Sequence, residues 1–154
     1  MKKMTALLLA LVLMIGMTAC GGEKTPSEPV DLQALYASME DGLPQMLVLD
    51  KDLMMNFLGI EADGYTQVLA AICMEGLRAD EIWMVEAADE ASLLVAKKLA
   101  ESRLEAKAEE TVNYNPEQYA VVEKAQLLTY GNYLILLVSP DVDALKAQVE
   151  AAFN

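Results

Sequence analysis

The chain has 154 residues, with 24 Asp and Glu against 11 Lys and Arg, no histidine, and a formal net charge of −13. Such an acidic balance argues against nucleic acid or anionic lipid headgroups as a surface partner, because both are polyanions. Without histidine the chain lacks the commonest general base, the commonest metal ligand and the usual partner of a Ser or Cys nucleophile; the expectation is a non-enzymatic protein with no cofactor, no metal site and no catalytic residues.

The first residues, Met1-Lys2-Lys3, make a positive start, and Met4 to Gly16 follow without a charge. That run is shorter than the roughly 20 apolar residues of a membrane span and has the length of a secretory signal core. Met17-Thr18-Ala19-Cys20-Gly21-Gly22 then resembles the lipobox of bacterial lipoproteins. Small residues at Ala19 and before it admit the peptidase, which cuts between Ala19 and Cys20, and the Cys20 thiol takes a diacylglycerol. Met17 stands where Leu is usual, a mild change between two unbranched-at-Cβ apolar side chains of similar volume. Two acyl chains, palmitate among the candidates, hold a protein stably on a bilayer where one does not. Residues 21–29, Gly-Gly-Glu-Lys-Thr-Pro-Ser-Glu-Pro, are polar and hold two prolines, the composition of a tether. The expected organisation is a signal peptide over 1–19, a lipidated cysteine and flexible tether over 20–30, and one globular domain over 31–154. Loss of the signal removes two lysines and leaves nine cations against 24 acids, a net charge of −15.

In the domain, Asp31 is placed to cap a helix with Leu32, Leu35, Tyr36 and Met39 at helical spacing. Asp41-Gly42-Leu43-Pro44 ends it. Met46-Leu47-Val48-Leu49 reads as a short strand, and Asp50 caps a second helix that runs to Gly59. Asp63-Gly64 is a turn. Residues 66–75 fit a buried strand or a buried helix by periodicity alone; the turn-like Gly76-Leu77-Arg78-Ala79-Asp80 and the strand-like Ile82-Trp83-Met84-Val85 that follow select a hairpin. Asp89 opens the longest helix, to about Thr111, with Val95, Ala96, Leu99, Ala100 and Ala106 on the side expected to be buried and Lys98, Glu101 and Glu105 opposite. Asn113-Tyr114-Asn115-Pro116 breaks it and starts a short helix through Glu123. Leu127 to Tyr130, a Gly131-Asn132 turn and Tyr133 to Val138 form a second hairpin, whose last strand is apolar throughout and so expected to be covered on both faces or nearly so. Ser139-Pro140 is expected to start a final helix with Val142, Leu145, Val149 and Phe153 on one face. Paired strands with helices between the pairs predict an α+β fold: an antiparallel sheet of two hairpins packed against helices in two layers.

Few residues carry candidate chemistry. Asp50, Asp52, Glu61 and Asp63 offer oxygens for calcium, but their spacing is not that of an EF-hand loop, and helix capping with surface charge accounts for them. Met39, Met46, Met54, Met55, Met74 and Met84 are scattered among apolar residues, as core packing requires and a copper site does not. Cys73 lies in an apolar run and reads as a small hydrophobe. No serine sits in a G-x-S-x-G or S-x-x-K setting. Tyr114, Tyr119, Tyr130 and Tyr133, with Asn113, Asn115 and Gln118 near them in sequence, are the candidate ligand-binding residues, since tyrosines beside amides can stack on a sugar or grip a peptide.

Glu81-Ile82-Trp83-Met84-Val85, the joint Asn113-Tyr114-Asn115-Pro116-Glu117-Gln118-Tyr119 and the turn Tyr130-Gly131-Asn132-Tyr133 resemble an uncharacterised lipoprotein family of Gram-positive, clostridia-like bacteria that carries only a domain-of-unknown-function label. The resemblance spans about residues 45–153. It implies a location and a fold and no activity. The expected function is that of a membrane-anchored extracytoplasmic lipoprotein on the cell membrane. It would hold the bilayer through acylated Cys20 and act as a binding or accessory module for another cell-envelope protein; the alternative is a small-ligand or carbohydrate-binding lipoprotein that uses the four tyrosines.

Overall fold

A computed structural model describes residues 25–154. The signal, Ala19 and Cys20 lie outside the described residues. Five helices and five strands follow in the order α1 (Leu32–Met39), β1 (Met46–Val48), α2 (Lys51–Leu58), β2 (Tyr65–Cys73), β3 (Glu81–Ala87), α3 (Glu90–Val112), α4 (Pro116–Glu123), β4 (Gln126–Tyr130), β5 (Tyr133–Val138) and α5 (Val142–Ala152), with short 3-10 turns at Glu40–Gly42 and Ala62–Gly64. The strands form one open antiparallel sheet in the order β1-β2-β3-β5-β4.

Local chemistry sets the element ends. The Asp31 carboxylate accepts the N–H groups of Gln33 and Ala34, Asp50 accepts that of Leu53, and Asp89 accepts that of Ser92 at 2.8 Å. Each supplies an acceptor to a helix N-terminus that has unpaired donors. Asn115 does the same for Gln118, with Pro116 in the first turn where its missing N–H costs nothing. Gly59 ends α2 with φ of 68°, and Gly131 gives the β4–β5 turn its φ of 57°. The last helix departs from expectation: α5 begins at Val142, and Ser139 Oγ instead accepts the Asp141 N–H in the turn before it.

The α+β class is as expected, and both hairpins are present, with β1 added at the edge beside β2. Helices cover both faces, so the packing has three layers rather than two. On one face Leu69, Ala71, Ile82, Met84, Ile135 and Leu137 meet α1 and α5 through Leu32, Tyr36, Met39, Leu145, Val149 and Phe153. On the other, Ala70, Trp83, Val85, Leu134, Leu136 and Val138 meet α2, α3 and α4. The cause is visible in β3 and β5: every β5 residue is buried, and an apolar side chain at each position needs cover above and below the sheet.

The strands also fix two poles. At one end, the Val30 N–H donates to Tyr133 Oη, Gln67 Nε2 donates to the Val30 carbonyl at 2.9 Å, and the Leu32 N–H donates to Gln67 Oε1. Half-buried Val30 packs on the α1–α5 core, so the segment expected to be loose through residue 30 is docked at its end. The β4–β5 turn lies there too, with Gly131 close to Thr25. The other end holds the β2–β3 connection, the start of β3 and the α3–α4 joint.

Candidate functional site

The pole away from Val30 carries the densest polar chemistry in the described chain. Asp80 and Glu81, at the start of β3, are 2% and 0% exposed. Both arginines of the sequence serve them. Arg78 donates from Nε to Asp80 Oδ2 at 3.0 Å and from Nη2 to Oδ1 at 3.1 Å. Arg103, from α3, donates from Nε to both Glu81 oxygens and from Nη2 to Oε2 at 3.0 Å. Lys107, one turn further on, lies 2.9 Å from Glu81 Oε2 and also donates to the Ala79 carbonyl at 3.0 Å. The indole N–H of Trp83, the only tryptophan, closes the set on Glu81 Oε1 at 2.7 Å. Gln118 of α4 accepts the Ala79 N–H at 2.7 Å. One strand end is thereby tied to both α3 and α4.

Two carboxylates this deep are tolerable only because charged donors replace their water. The Asp80 hydrogen bond, foremost, and its charge hold the Arg78 guanidinium above its ordinary pKa. For Arg103, burial works against the charge and is the largest influence, but the Glu81 hydrogen bond and charge, with Glu110 adding to them, outweigh it and leave the group raised.

Outside this network lies a cavity of about 260 Å³, walled by the β2–β3 connection, the end of α3 and the α3–α4 joint. Arg78, Lys107, Glu110 and Asn115 line it, as do Leu77 and Tyr114, which at 80% and 86% are the most exposed large apolar side chains among the described residues. A wider groove of about 480 Å³ runs beside β1 and α2. Its charged groups are already engaged: Lys51 pairs with Asp63, and Asp50 caps α2.

The four candidate tyrosines do not share a surface. Tyr130 and Tyr133 are core residues on the α1–α5 face, packed on Phe153 with ring centroids 4.5 and 5.2 Å apart. Burial, first, raises the Tyr133 pKa, the Val30 hydrogen bond opposing it. Tyr119 is half-buried on α4, its hydroxyl raised by a hydrogen bond to Glu123. Tyr114 alone lines a cavity. The long helix also faces differently from the expectation. Ala96 and Ala100 are buried and Leu99 half-buried, but Val95 is 53% exposed and Ala106 is exposed; the inward stripe continues through Arg103 and Lys107 to meet Glu81.

Sequence reasoning missed this cluster, and one signal pointed to it. Arg103 and Lys107 are like charges at i and i+4, an arrangement that costs a few tenths of a kcal/mol unless an anion lies between. Met39, Met54 and Met84 are buried, Met46 is half-buried and Met55 and Met74 are exposed. Cys73 is half-buried, with a free thiol that accepts the Glu75 N–H. Among the described residues no three His, Cys, Asp or Glu side chains are grouped to hold a metal, and no helix is long and apolar enough to cross a membrane.

A family model described as a domain of unknown function, DUF4358, matches residues 39–139, from the end of α1 to the end of β5. No curated protein and no solved structure matches the chain.

Proposed function

The chain belongs to the DUF4358 family of domains of unknown function, and we propose that it works outside the cytoplasmic membrane as a lipid-anchored, non-enzymatic accessory module that engages another envelope protein. The observation that carries this reading is the separation of the two poles. The segment that leads back to Cys20 docks beside the starts of β2 and β5, whereas the cavity with exposed Leu77 and Tyr114 sits at the other end of the sheet. Ten residues separate Cys20 from Val30, a reach of at most about 35 Å. Glu81 and Glu86 bracket most of β3, about 17 Å of strand. An anchor at Cys20 enters the domain at the Val30 pole and leaves the cavity at the opposite end of the sheet free of the tether, with slack enough to reach other envelope proteins. The acidic surface suits this arrangement, since anionic headgroups repel it.

The test is labelling of cells with a palmitate analogue, followed by crosslinking and affinity capture from the native envelope. The wild-type chain takes the label and brings down a specific partner. Cys20→Ser takes no label and loses that partner. Label retained by Cys20→Ser, or a partner set identical in the two, contradicts the reading.

A further inference from the structure

The wall of the cavity is specific about its occupant, and we infer that it holds an extended segment of a partner protein with a bulky apolar residue next to a carboxylate. This rests on the accessory-module reading and adds the chemistry of the partner. Leu77 and Tyr114 supply the apolar rim. The polar wall has donors to spare. Arg78 commits Nε and Nη2 to Asp80, which leaves its Nη1 amino group. Lys107 has three N–H bonds and gives two, to Glu81 and to the Ala79 carbonyl. Asn115 has its oxygen taken by the Gln118 N–H, which leaves its amide N–H groups.

Two of the three nearby carboxylates are spent on these donors, and Glu110 is the one left on the wall. Asp80 and Glu81 are turned into the domain and saturated, so their negative charge does not face the cavity. The uncommitted donors of Arg78, Lys107 and Asn115 outnumber the one carboxylate left on the wall, so the wall favours an acceptor, and a carboxylate makes the strongest bonds to such donors. Glu110 on the same wall limits the occupant to a single acid, because a second would meet like charge. The volume of about 260 Å³ is below the usual range for a small-molecule site and suits one pair of residues inserted from a longer segment.

The test uses the full chain produced in its native envelope and purified in detergent, with three probes: acetyl-Gly-Leu-Asp-Gly-amide, its Leu-Asn counterpart and N-acetylaspartate. Trp83 fluorescence reads binding, because the indole shares Glu81 with Lys107, and chemical shifts of the Leu77 and Tyr114 side chains read it at the rim. The Leu-Asp peptide gives a saturable response in both. The Leu-Asn peptide binds about tenfold or more weaker, the loss expected for charge-assisted hydrogen bonds. Leu77→Ser and Tyr114→Ser each weaken the Leu-Asp peptide severalfold while leaving thermal unfolding unchanged, since both side chains are exposed. No saturable response to the Leu-Asp peptide overturns the inference, as does equal binding of Leu-Asn or undiminished binding by both variants. N-acetylaspartate bound as tightly as the peptide also overturns it and assigns the cavity to a free carboxylate. Peptide binding with no acyl label on Cys20 sinks the anchored reading and leaves the site; acyl label with no peptide binding sinks the site alone.

Discussion

Replacing Glu81 with leucine removes the one anion that three donors share. The carboxylate is fully buried, and Arg103 and Lys107 keep only 27% and 11% of their side-chain surface. Deleting one partner of a buried ion pair costs roughly 3–5 kcal/mol, because the remaining charge stays out of water. Arg103 can swing toward solvent and Lys107 keeps the Ala79 carbonyl, so Glu81→Leu belongs near the lower figure, about 3 kcal/mol. With a urea dependence of about 2 kcal/mol per molar, the midpoint falls by about 1.5 M. Replacing the whole set, Glu81→Leu with Arg103→Leu and Lys107→Met, removes the stranded charges along with their anion and recovers most of that loss. Urea unfolding followed by circular dichroism and by Trp83 fluorescence measures both variants. A single-variant shift below about 0.3 M, or a triple variant no more stable than the single one, refutes the argument that charged donors make the buried carboxylate tolerable.

Gly131→Ala places a side chain at φ of 57°, with Thr25 atoms 3.1 and 3.2 Å from the new Cβ, and lowers stability by about 1–2 kcal/mol in the same assay; no change would mean that the turn relaxes freely. Leu145→Ala opens a hole in the α1–α5 core, where the side chain is 1% exposed, and costs about 2–5 kcal/mol; a loss under about 1 kcal/mol would show that α5 is loosely packed. Alkaline pH supplies a further check. Burial, foremost, raises the folded-state pKa values of Tyr36, Tyr130 and Tyr133 above 10.0. The fold favours the neutral phenols, so this stability is fully present below the unfolded value and is lost as pH rises through the folded ones. Urea midpoints therefore fall above about pH 10, and tyrosinate absorbance appears later in the folded protein than in urea; a midpoint that stays flat would contradict it.

Much of the fold was legible because its signals are local. Asp31, Asp50 and Asp89 stand at helix starts with one obvious role each, and Gly131-Asn132 between apolar runs leaves little choice but a hairpin. β5, apolar at every position, announces cover on both faces. What stayed hidden is tertiary. Val95 and Ala106 fit an apolar stripe by spacing, yet α3 is rotated so that Arg103 and Lys107 point inward. That choice is made by Glu81, on another element earlier in the chain, and no helical periodicity contains it. The tyrosines failed to converge for the same reason. Sequence proximity placed Tyr130 and Tyr133 near Tyr114, but strand alternation sends the pair into the α1–α5 core while Tyr114 sits at a helix joint exposed to water.

The most direct test of an anchored module that offers its far pole to a partner is site-specific photocrosslinking in the native envelope. A photoreactive residue replaces Leu77 at the cavity or exposed Ala147 on α5, each in the wild-type background and in Cys20→Ser. The account predicts a discrete adduct with another envelope protein from position 77, none from position 147, and loss of the adduct when Cys20 is serine. Adducts that are the same from both positions, that survive Cys20→Ser, or that never form at position 77 would contradict it.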